Sequence, residues 1–165
     1  IDVHLMAELE AAGIKPTDDQ AKYTAASIES PVTALLQEGK LVKEAKAVEG
    51  GFYGVLLERT CFYAEQGGQQ ADMGVISVGG KNINVVDVQL YGGHVLHVCE
   101  ASCSLSVGSS VTAAFDQERR QALRLNHTGT HILNHALRAV LGEGIEQQGS
   151  LVAADRLRFD YSAKT

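Results

Sequence analysis

Residues 74–99 read GVISVGGKNINVVDVQLYGGHVLHVC and decide the fold. Three short runs rich in valine and isoleucine are separated there by two glycine pairs, Gly79-Gly80 and Gly92-Gly93. Apolar and polar residues alternate within parts of these runs, as they do in strands that bury one face. Paired glycines tolerate the positive φ angles that two-residue hairpin turns require. The stretch therefore predicts three antiparallel strands joined by tight turns.

Similar runs lie on both sides of this stretch. Further strands are predicted at 32–37, 40–45, 51–58 and 111–115, with Glu38-Gly39, Gly50-Gly51 and Gly108 as additional turn signals. Many short strands at such close spacing favour a small barrel or a curled antiparallel sheet.

Helical patterns flank the predicted strands. Leucines and a methionine at helical spacing precede Gly13, and residues 15–30 are expected to form a polar connection with weak helical character. Asp116 is an N-cap residue type, and a helical pattern runs from it towards Gly142, a typical C-terminal stop. Two more strands are expected at 148–152 and 157–161.

The predicted fold class is therefore mixed α and β. A helical and linker segment at 1–48 leads into the first barrel strands, and a small antiparallel β-barrel with a glycine-rich loop follows at 49–115. The boundary falls near Phe115, and residues 116–165 form the first part of an α+β domain.

Composition excludes several classes of protein. The formal charge of -6 argues against a generally basic, DNA-binding surface, although Arg119, Arg120, Arg124 and Arg138 form a local basic strip in the sequence. No apolar run approaches the roughly 20 residues of a membrane span, and no signal peptide pattern opens the chain. Three cysteines cannot all pair within the chain and indicate a reduced, cytoplasmic protein. Because the sequence starts without Met, we expect a piece of a longer protein.

One segment carries potential metal ligands at helical spacing. His127 and His131 are four residues apart, so on a helix both imidazoles lie on one face and can bind one zinc ion. Leu133, Ala136, Leu137 and Val140 cluster on the opposite side of the helical wheel. The alternative interpretation is an ordinary helix surface, since zinc sites take three or four protein ligands.

A polar, glycine-rich connection links two of the predicted strands. Gly67 and Gly68 allow the backbone to approach a ligand closely, and Gln69 can orient a water or a ribose without carrying charge. A wide hairpin loop is the alternative interpretation. His97 and Cys99 face the same side of a strand, where barrel structure is favoured over a second metal site.

Two long motifs, in this order, resemble the alanyl-tRNA synthetase family. The run from Glu58 to Gln69, with Asp72 and Gly74 after it, is similar to the signature of the barrel that precedes the family's editing domain. The runs at 126–142, 148–152 and 155–160 are similar to the editing domain itself. The match covers about residues 51–162. The residues within the motifs resemble those of eukaryotic members more than those of bacterial members.

This resemblance implies an editing module that hydrolyses serine and glycine esters of the tRNA for alanine. In the family a zinc ion is held by a His-x-x-x-His pair, here His127 and His131, and by a distant Cys-x-x-x-His pair that does not occur before Thr165. The zinc site is therefore expected to be incomplete, and the isolated chain to edit poorly.

The resemblance also assigns roles to single residues. Thr130 and Gln147 match positions in the family's editing pocket, and Gln69 is expected to orient the ester for attack by water. We expect Gly67, Gly68 and Arg138 to contact the 3′ end of the tRNA. The chain has no ATP-binding motif, so ATP and Mg²⁺ are expected only in the longer ligase.

Three other classes of protein remain open at this stage. A free-standing trans-editing deacylase shares both motifs, and a non-catalytic tRNA-interaction domain would keep the fold without the chemistry. The interpretation as a release-factor-like hydrolase depends on the tripeptide Gly67-Gly68-Gln69 alone.

Overall fold

The fold is built around a closed barrel of six antiparallel strands. The computed structural model describes residues 3–66, 69–121, 136–137 and 139–142, and the backbone of 122, 146–151 and 158–162. The barrel strands run in the order β1-β4-β7-β6-β5-β9, and β9 pairs with β1 to close the ring. This confirms the predicted mixed fold class with a small antiparallel barrel.

The elements follow one another with short connections. Helix α1 covers Val3–Ala11, a 3₁₀ turn covers Gln20–Tyr23, and helix α2 covers Gln117–Ala122. The strands are β1 (Ser27–Gln37), β2 (Lys40–Val42), β3 (Glu44–Ala45), β4 (Phe52–Leu57), β5 (Gly74–Val78), β6 (Lys81–Tyr91), β7 (His94–Glu100), β8 (Leu105–Ser106), β9 (Ser110–Phe115), β10 (Glu146–Leu151) and β11 (Arg158–Ser162). Strand β2 extends the sheet beside β1, β3 pairs with β8, and β10 pairs with β11.

Tight glycine turns connect the long hairpins, as the sequence predicts. Both residues of the Gly79-Gly80 turn have positive φ angles of 56° and 79°, and Gly92-Gly93 has 54° and 84°. These angles are those of turns whose twist matches the flanking strands. Side chains other than glycine adopt them at a cost, which explains the two glycine pairs.

Strand β1 begins five residues earlier than the sequence pattern indicates. Residues Ser27 to Pro31 pair with β9, whereas Val32 to Leu36 pair with β4. The strand changes partners at Pro31, and the backbone amide of Val32 donates to the carbonyl of Ser109 at 2.9 Å. The expected polar connection at 15–30 is thus wrong from Ser27 onward, because a proline amid polar residues conceals a strand at its change of partner.

The domain division at 48 and 115 stays a prediction.

The barrel wall is buried on both faces at β1, β4 and β7. Its interior holds a cluster that includes Leu35, Tyr53, Val55, Phe62 and Ile83, all fully buried. A second cluster covers the outside of β1, β4 and β7. Residues from α1 and helical residues at 136–137 and 139–141 form that second layer.

The apolar back of the predicted histidine helix packs against the barrel. Ala136, Leu137 and Val140 are 0%, 2% and 0% exposed. The backbone amide of Gly39 donates to the carbonyl of Val140 at 3.0 Å, and the helix ends before Gly142, whose φ is +96°. The predicted apolar face is confirmed at these three positions and the predicted stop at Gly142, whereas Leu133, His127 and His131 lie outside the described residues. Within the described part of the chain, no helix is long and apolar enough to cross a membrane.

Gly54 of β4 permits this packing. A Cβ atom at position 54 would lie 2.6 Å from Leu96 Cδ1 and 2.8 Å from Val140 Cγ1. We therefore expect Gly54→Ala to lower the free energy of unfolding by about 1–3 kcal/mol through overpacking. Urea denaturation measures the change, with the exposed Ser110→Ala as a control that stays within about 0.5 kcal/mol of the parent.

A second substitution tests the cause. Val140→Ala removes one of the two close neighbours, so the double variant Gly54→Ala, Val140→Ala should lose less stability than the sum of the single losses, by about 0.5 kcal/mol or more. If the two losses of stability simply add, the clash with Val140 is not the cause of the loss in Gly54→Ala.

Candidate functional site

The glycine-rich loop, residues 63–72, projects from the barrel with its two ends joined. The backbone amide of Asp72 donates to the carbonyl of Tyr63 at 3.0 Å, and the amide of Tyr63 donates to Asp72 Oδ2 at 2.8 Å. At the tip, the amide of Gln69 donates to the carbonyl of Gln66 at 3.1 Å. The side chains of Gln66 and Gln69 are exposed, whereas Gln70, Ala71 and Asp72 are buried. The loop thus presents an exposed, uncharged tip on a fixed base.

The first leg of the loop is held by β6. The backbone amide of Glu65 donates to the carbonyl of Val88 at 2.9 Å. The side-chain amide of Gln89 donates to Glu65 Oε1 and to Asp87 Oδ2, both at 2.9 Å. One amide group therefore joins a carboxylate of the loop to a carboxylate of the barrel.

The second leg is held by α2. Asp116 caps this helix, since its Oδ1 accepts from the backbone amide of Arg119 at 3.0 Å, as the sequence predicts. Arg119 Nη1 donates to the carbonyl of Ala71 at 3.2 Å, and Arg120 forms an ion pair with Asp72. The two arginines are half-buried, so this part of the expected basic strip faces the protein rather than solvent.

A chain of buried hydrogen bonds fixes the segment that enters the loop. The amide of Phe62 donates to Thr60 Oγ1 at 3.1 Å, and Thr60 Oγ1 lies 2.8 Å from His97 Nε2. His97 Nδ1 lies 2.9 Å from the carbonyl of Val55. Because a carbonyl only accepts, Nδ1 carries the proton and Nε2 accepts from the threonine hydroxyl. Burial lowers the pKa of His97 to about 4, so this imidazole is neutral near pH 7.

This arrangement accounts for the strand histidine. Both ring nitrogens of His97 have protein partners, and Cys99 is a buried, free thiol on the same strand. Among the residues that the structure describes, no group of three or more His, Cys, Asp or Glu could hold a metal ion. Barrel structure therefore explains His97 and Cys99. Cys61 is likewise a fully buried small side chain.

One acid of the loop and one acid of β6 are protonated more readily than usual. Burial raises the pKa of Asp87 to about 7, and the nearby charge of Glu65 adds to the rise while the hydrogen bond from Gln89 opposes it. Burial also raises the pKa of Glu65. A carboxyl group that stays neutral below pH 7 lowers the cost of burying it next to another acid.

The structure tests none of the roles predicted for the site residues. Gln69 lies at the exposed loop tip, and Gln147 lies on β10, where its backbone pairs with Tyr161. The remaining six lie outside the described residues: Gly67, Gly68, His127, Thr130, His131 and Arg138. Their assignment to tRNA, zinc and catalysis stays a prediction from the sequence.

The supports of the loop were not found by sequence reasoning. Arg120 and Asp72 are 48 positions apart and share no local pattern, so only the fold brings them together. Asp87 did carry a signal, because it is a charged residue within the apolar run Val85-Val86-Asp87-Val88. A charged residue at such a position is buried only with partners, which points to a polar network.

Comparison with known proteins identifies the family. Residues 2–119 match the family model described as tRNA synthetases class II (A). The chain belongs to this class II (A) tRNA synthetase family. It is 45% identical over 169 residues to the alanine–tRNA ligase of Candida albicans and 42% identical over 180 residues to the cytoplasmic alanine–tRNA ligase of Caenorhabditis elegans.

The mitochondrial alanine–tRNA ligase of Saccharomyces cerevisiae is also 45% identical to this synthetase chain, over 166 residues. Each of these three alignments covers 99% of the chain but only 17–18% of the relative. The chain thus spans about one sixth of the length of the curated relatives it matches.

Asp87 makes the stability of this synthetase segment depend on pH. A carboxyl group whose pKa is raised in the folded state stabilises the fold fully below its unfolded pKa of about 4, and this contribution is lost as pH rises to about 7. Asp87→Asn removes the ionisation, so its stability relative to the parent should rise between pH 5 and pH 8, by up to about 2 kcal/mol. Urea denaturation at the two pH values measures this difference.

The exposed Glu49→Gln serves as the control and should show no such pH dependence. If Asp87→Asn differs from the parent by the same amount at both pH values, Asp87 does not titrate in this range.

Proposed function

We propose that this segment belongs to an alanine–tRNA ligase and forms part of a module that hydrolyses incorrectly charged tRNA. One observation carries the proposal: the chain aligns along nearly its whole length with alanine–tRNA ligases. Sequence motifs narrow it to editing, because His127 and His131 have the spacing of a zinc-binding pair and Gln69 follows two glycines on a loop.

Such a module is needed because a binding pocket discriminates poorly between amino acids of similar size. A pocket shaped for alanine cannot exclude the smaller glycine, and it rejects serine weakly because serine only adds a hydroxyl group. Binding differences of this kind give discrimination of about 10- to 200-fold, so a second, hydrolytic site is needed for greater accuracy. The proposed substrates are the serine and glycine esters at the 3′ end of the tRNA for alanine.

The described loop supports this role. Gln69 is exposed on a loop whose legs are hydrogen-bonded to β6 and α2, and a fixed loop base lowers the cost of positioning its amide against a substrate. An amide both donates and accepts hydrogen bonds, and it can orient the ester or the attacking water without adding charge. Gly67 and Gly68 would let the RNA backbone approach.

The remaining roles follow the sequence motifs. His127 and His131 would hold zinc, which when bound activates water and polarises the ester carbonyl. Thr130 and Gln147 would contact the amino acid, and Arg138 the tRNA. The whole ligase would use ATP and Mg²⁺ to attach alanine. We place this ligase in the cytoplasm, because the related ligases of Caenorhabditis elegans and Bombyx mori are named as cytoplasmic.

The test uses the full-length ligase that carries this segment. We expect His127→Ala with His131→Ala to lower the rate of deacylation of serine-charged tRNA for alanine by at least about 100-fold, because the water loses its activating metal. Attachment of alanine should continue, and bound zinc, measured by elemental analysis, should fall.

The exposed His4→Ala is the matched control and should keep full deacylation. If deacylation persisted after loss of both histidines, the segment would instead be a non-catalytic tRNA-interaction domain. If alanine attachment failed equally, the histidines would serve the fold of the ligase rather than editing.

A further inference from the structure

Arg120 connects three separate parts of the chain through one guanidinium group. Its Nε donates to Asp72 Oδ1 and Oδ2 at 3.0 and 3.1 Å, and its Nη2 donates to Asp72 Oδ2. Nη2 also donates to the carbonyl of Cys61 at 3.1 Å, and Nη1 to the carbonyl of Lys22 at 2.6 Å. The guanidinium carbon lies 3.5 Å from the centroid of the Phe115 ring.

Only an arginine satisfies all of these contacts. The fork presents N–H groups in one plane, so it can pair with a carboxylate along one edge and with two carbonyls along the others. Its flat face also stacks on an aromatic ring. A lysine would keep the charge but would lose the planar stacking and most of the hydrogen bonds.

Asp72 is the point at which Arg120 controls the loop. Its side chain is 1% exposed, and its Oδ2 also accepts from the amide of Tyr63, the first residue of the glycine-rich loop. A buried carboxylate that loses its cationic partner is strongly destabilised where it stands. The closure of the loop between Tyr63 and Asp72 therefore depends on the guanidinium group.

Helix α2 carries Arg120 and precedes the histidine pair in the sequence. Arg120 stands on α2, seven positions before His127 in the sequence. The same side chain therefore holds the base of the loop that carries Gln69 and belongs to the element that leads towards the histidine pair. Further along the chain, Ala136, Leu137 and Val140 are buried in the apolar layer outside the barrel.

We propose that Arg120 is a positioning residue for the editing reaction, because it fixes the base of the loop that carries Gln69. The inference rests on the proposed function. Arg120 acts through Gln69 and contacts no substrate. Misplacement of a reacting group by about 1 Å costs about 100-fold in rate, so loosening the loop base lowers turnover more than binding.

The test measures deacylation of serine-charged tRNA by the full-length ligase. Arg120→Lys should lower kcat by about 10- to 100-fold while KM changes by less than about threefold. Gln69→Ala should also lower kcat. The double variant Arg120→Lys, Gln69→Ala should be no more than about threefold slower than Gln69→Ala alone, because the two residues act as one unit.

Two controls separate positioning from general damage. Arg59→Lys changes a half-exposed arginine whose guanidinium pairs with the neighbouring Glu58, and it should leave kcat unchanged. In Arg120→Lys, the rate of attachment of alanine should match the parent, and hydrogen exchange should accelerate at the amides of Tyr63 and Asp72, whose bonds close the loop.

Several outcomes would overturn the proposal. They are an unchanged kcat in Arg120→Lys, unchanged exchange at the two amides, or rate losses of Arg120→Lys and Gln69→Ala that multiply in the double variant. If Arg120→Lys fails to attach alanine, Asp72→Asn replaces it, since this change keeps the side-chain size and removes the charge. Loss of alanine attachment in both variants would mean general structural support and would also reject the proposal.

The outcome is independent of the test on the histidines. If deacylation stops without His127 and His131 but the losses from Arg120 and Gln69 multiply, the editing function stands and the positioning role fails. If deacylation survives the loss of both histidines, the proposed function fails first.

Discussion

Closure of the barrel depends on one strand that changes partners. Strand β1 pairs with β9 through its first half and with β4 through its second half, and Pro31 stands where the change occurs. Proline has no amide to donate, so it fits where one ladder ends and another begins. Without the first half of β1, strand β9 would keep an open edge, and the ring of hydrogen bonds would become an open sheet.

The closed ring explains why the remaining elements lie where they do. The part of the barrel wall that is apolar on both faces needs a second layer outside, and α1 supplies it together with Ala136, Leu137, Val140 and Leu141. The glycine-rich loop is an irregular connection whose tip carries two exposed glutamines, Gln66 and Gln69. Loops held by a rigid scaffold commonly carry binding and catalytic residues, and this loop has such a scaffold in β6 and α2.

The sequence predicted the barrel well because its signals are local. The glycine turns and alternating strands from residue 74 to 99 depend on neighbours within a few positions, and the structure confirms them. The first half of β1 was missed because its strand character comes from pairing with β9, about 80 positions away. Asp72 and Arg120 were missed for the same reason, since their contact is created by closure of the ring. Gln69 lies exposed on the loop and its catalytic role stays a prediction, and no pattern in the sequence reveals what holds the base of that loop.

Two titratable groups lie on neighbouring strands and respond to pH in opposite directions. Asp87 of β6 has its pKa raised to about 7, and His97 of β7 has its pKa lowered to about 4. His97 contributes stability above its unfolded pKa of about 6.5 and loses it as pH falls towards 4, whereas Asp87 loses its contribution as pH rises over nearly the same interval. The two contributions to the pH dependence of unfolding therefore have opposite signs. Between about pH 4 and pH 7 both side chains are neutral in the folded barrel, so neither places an unpaired charge inside its wall.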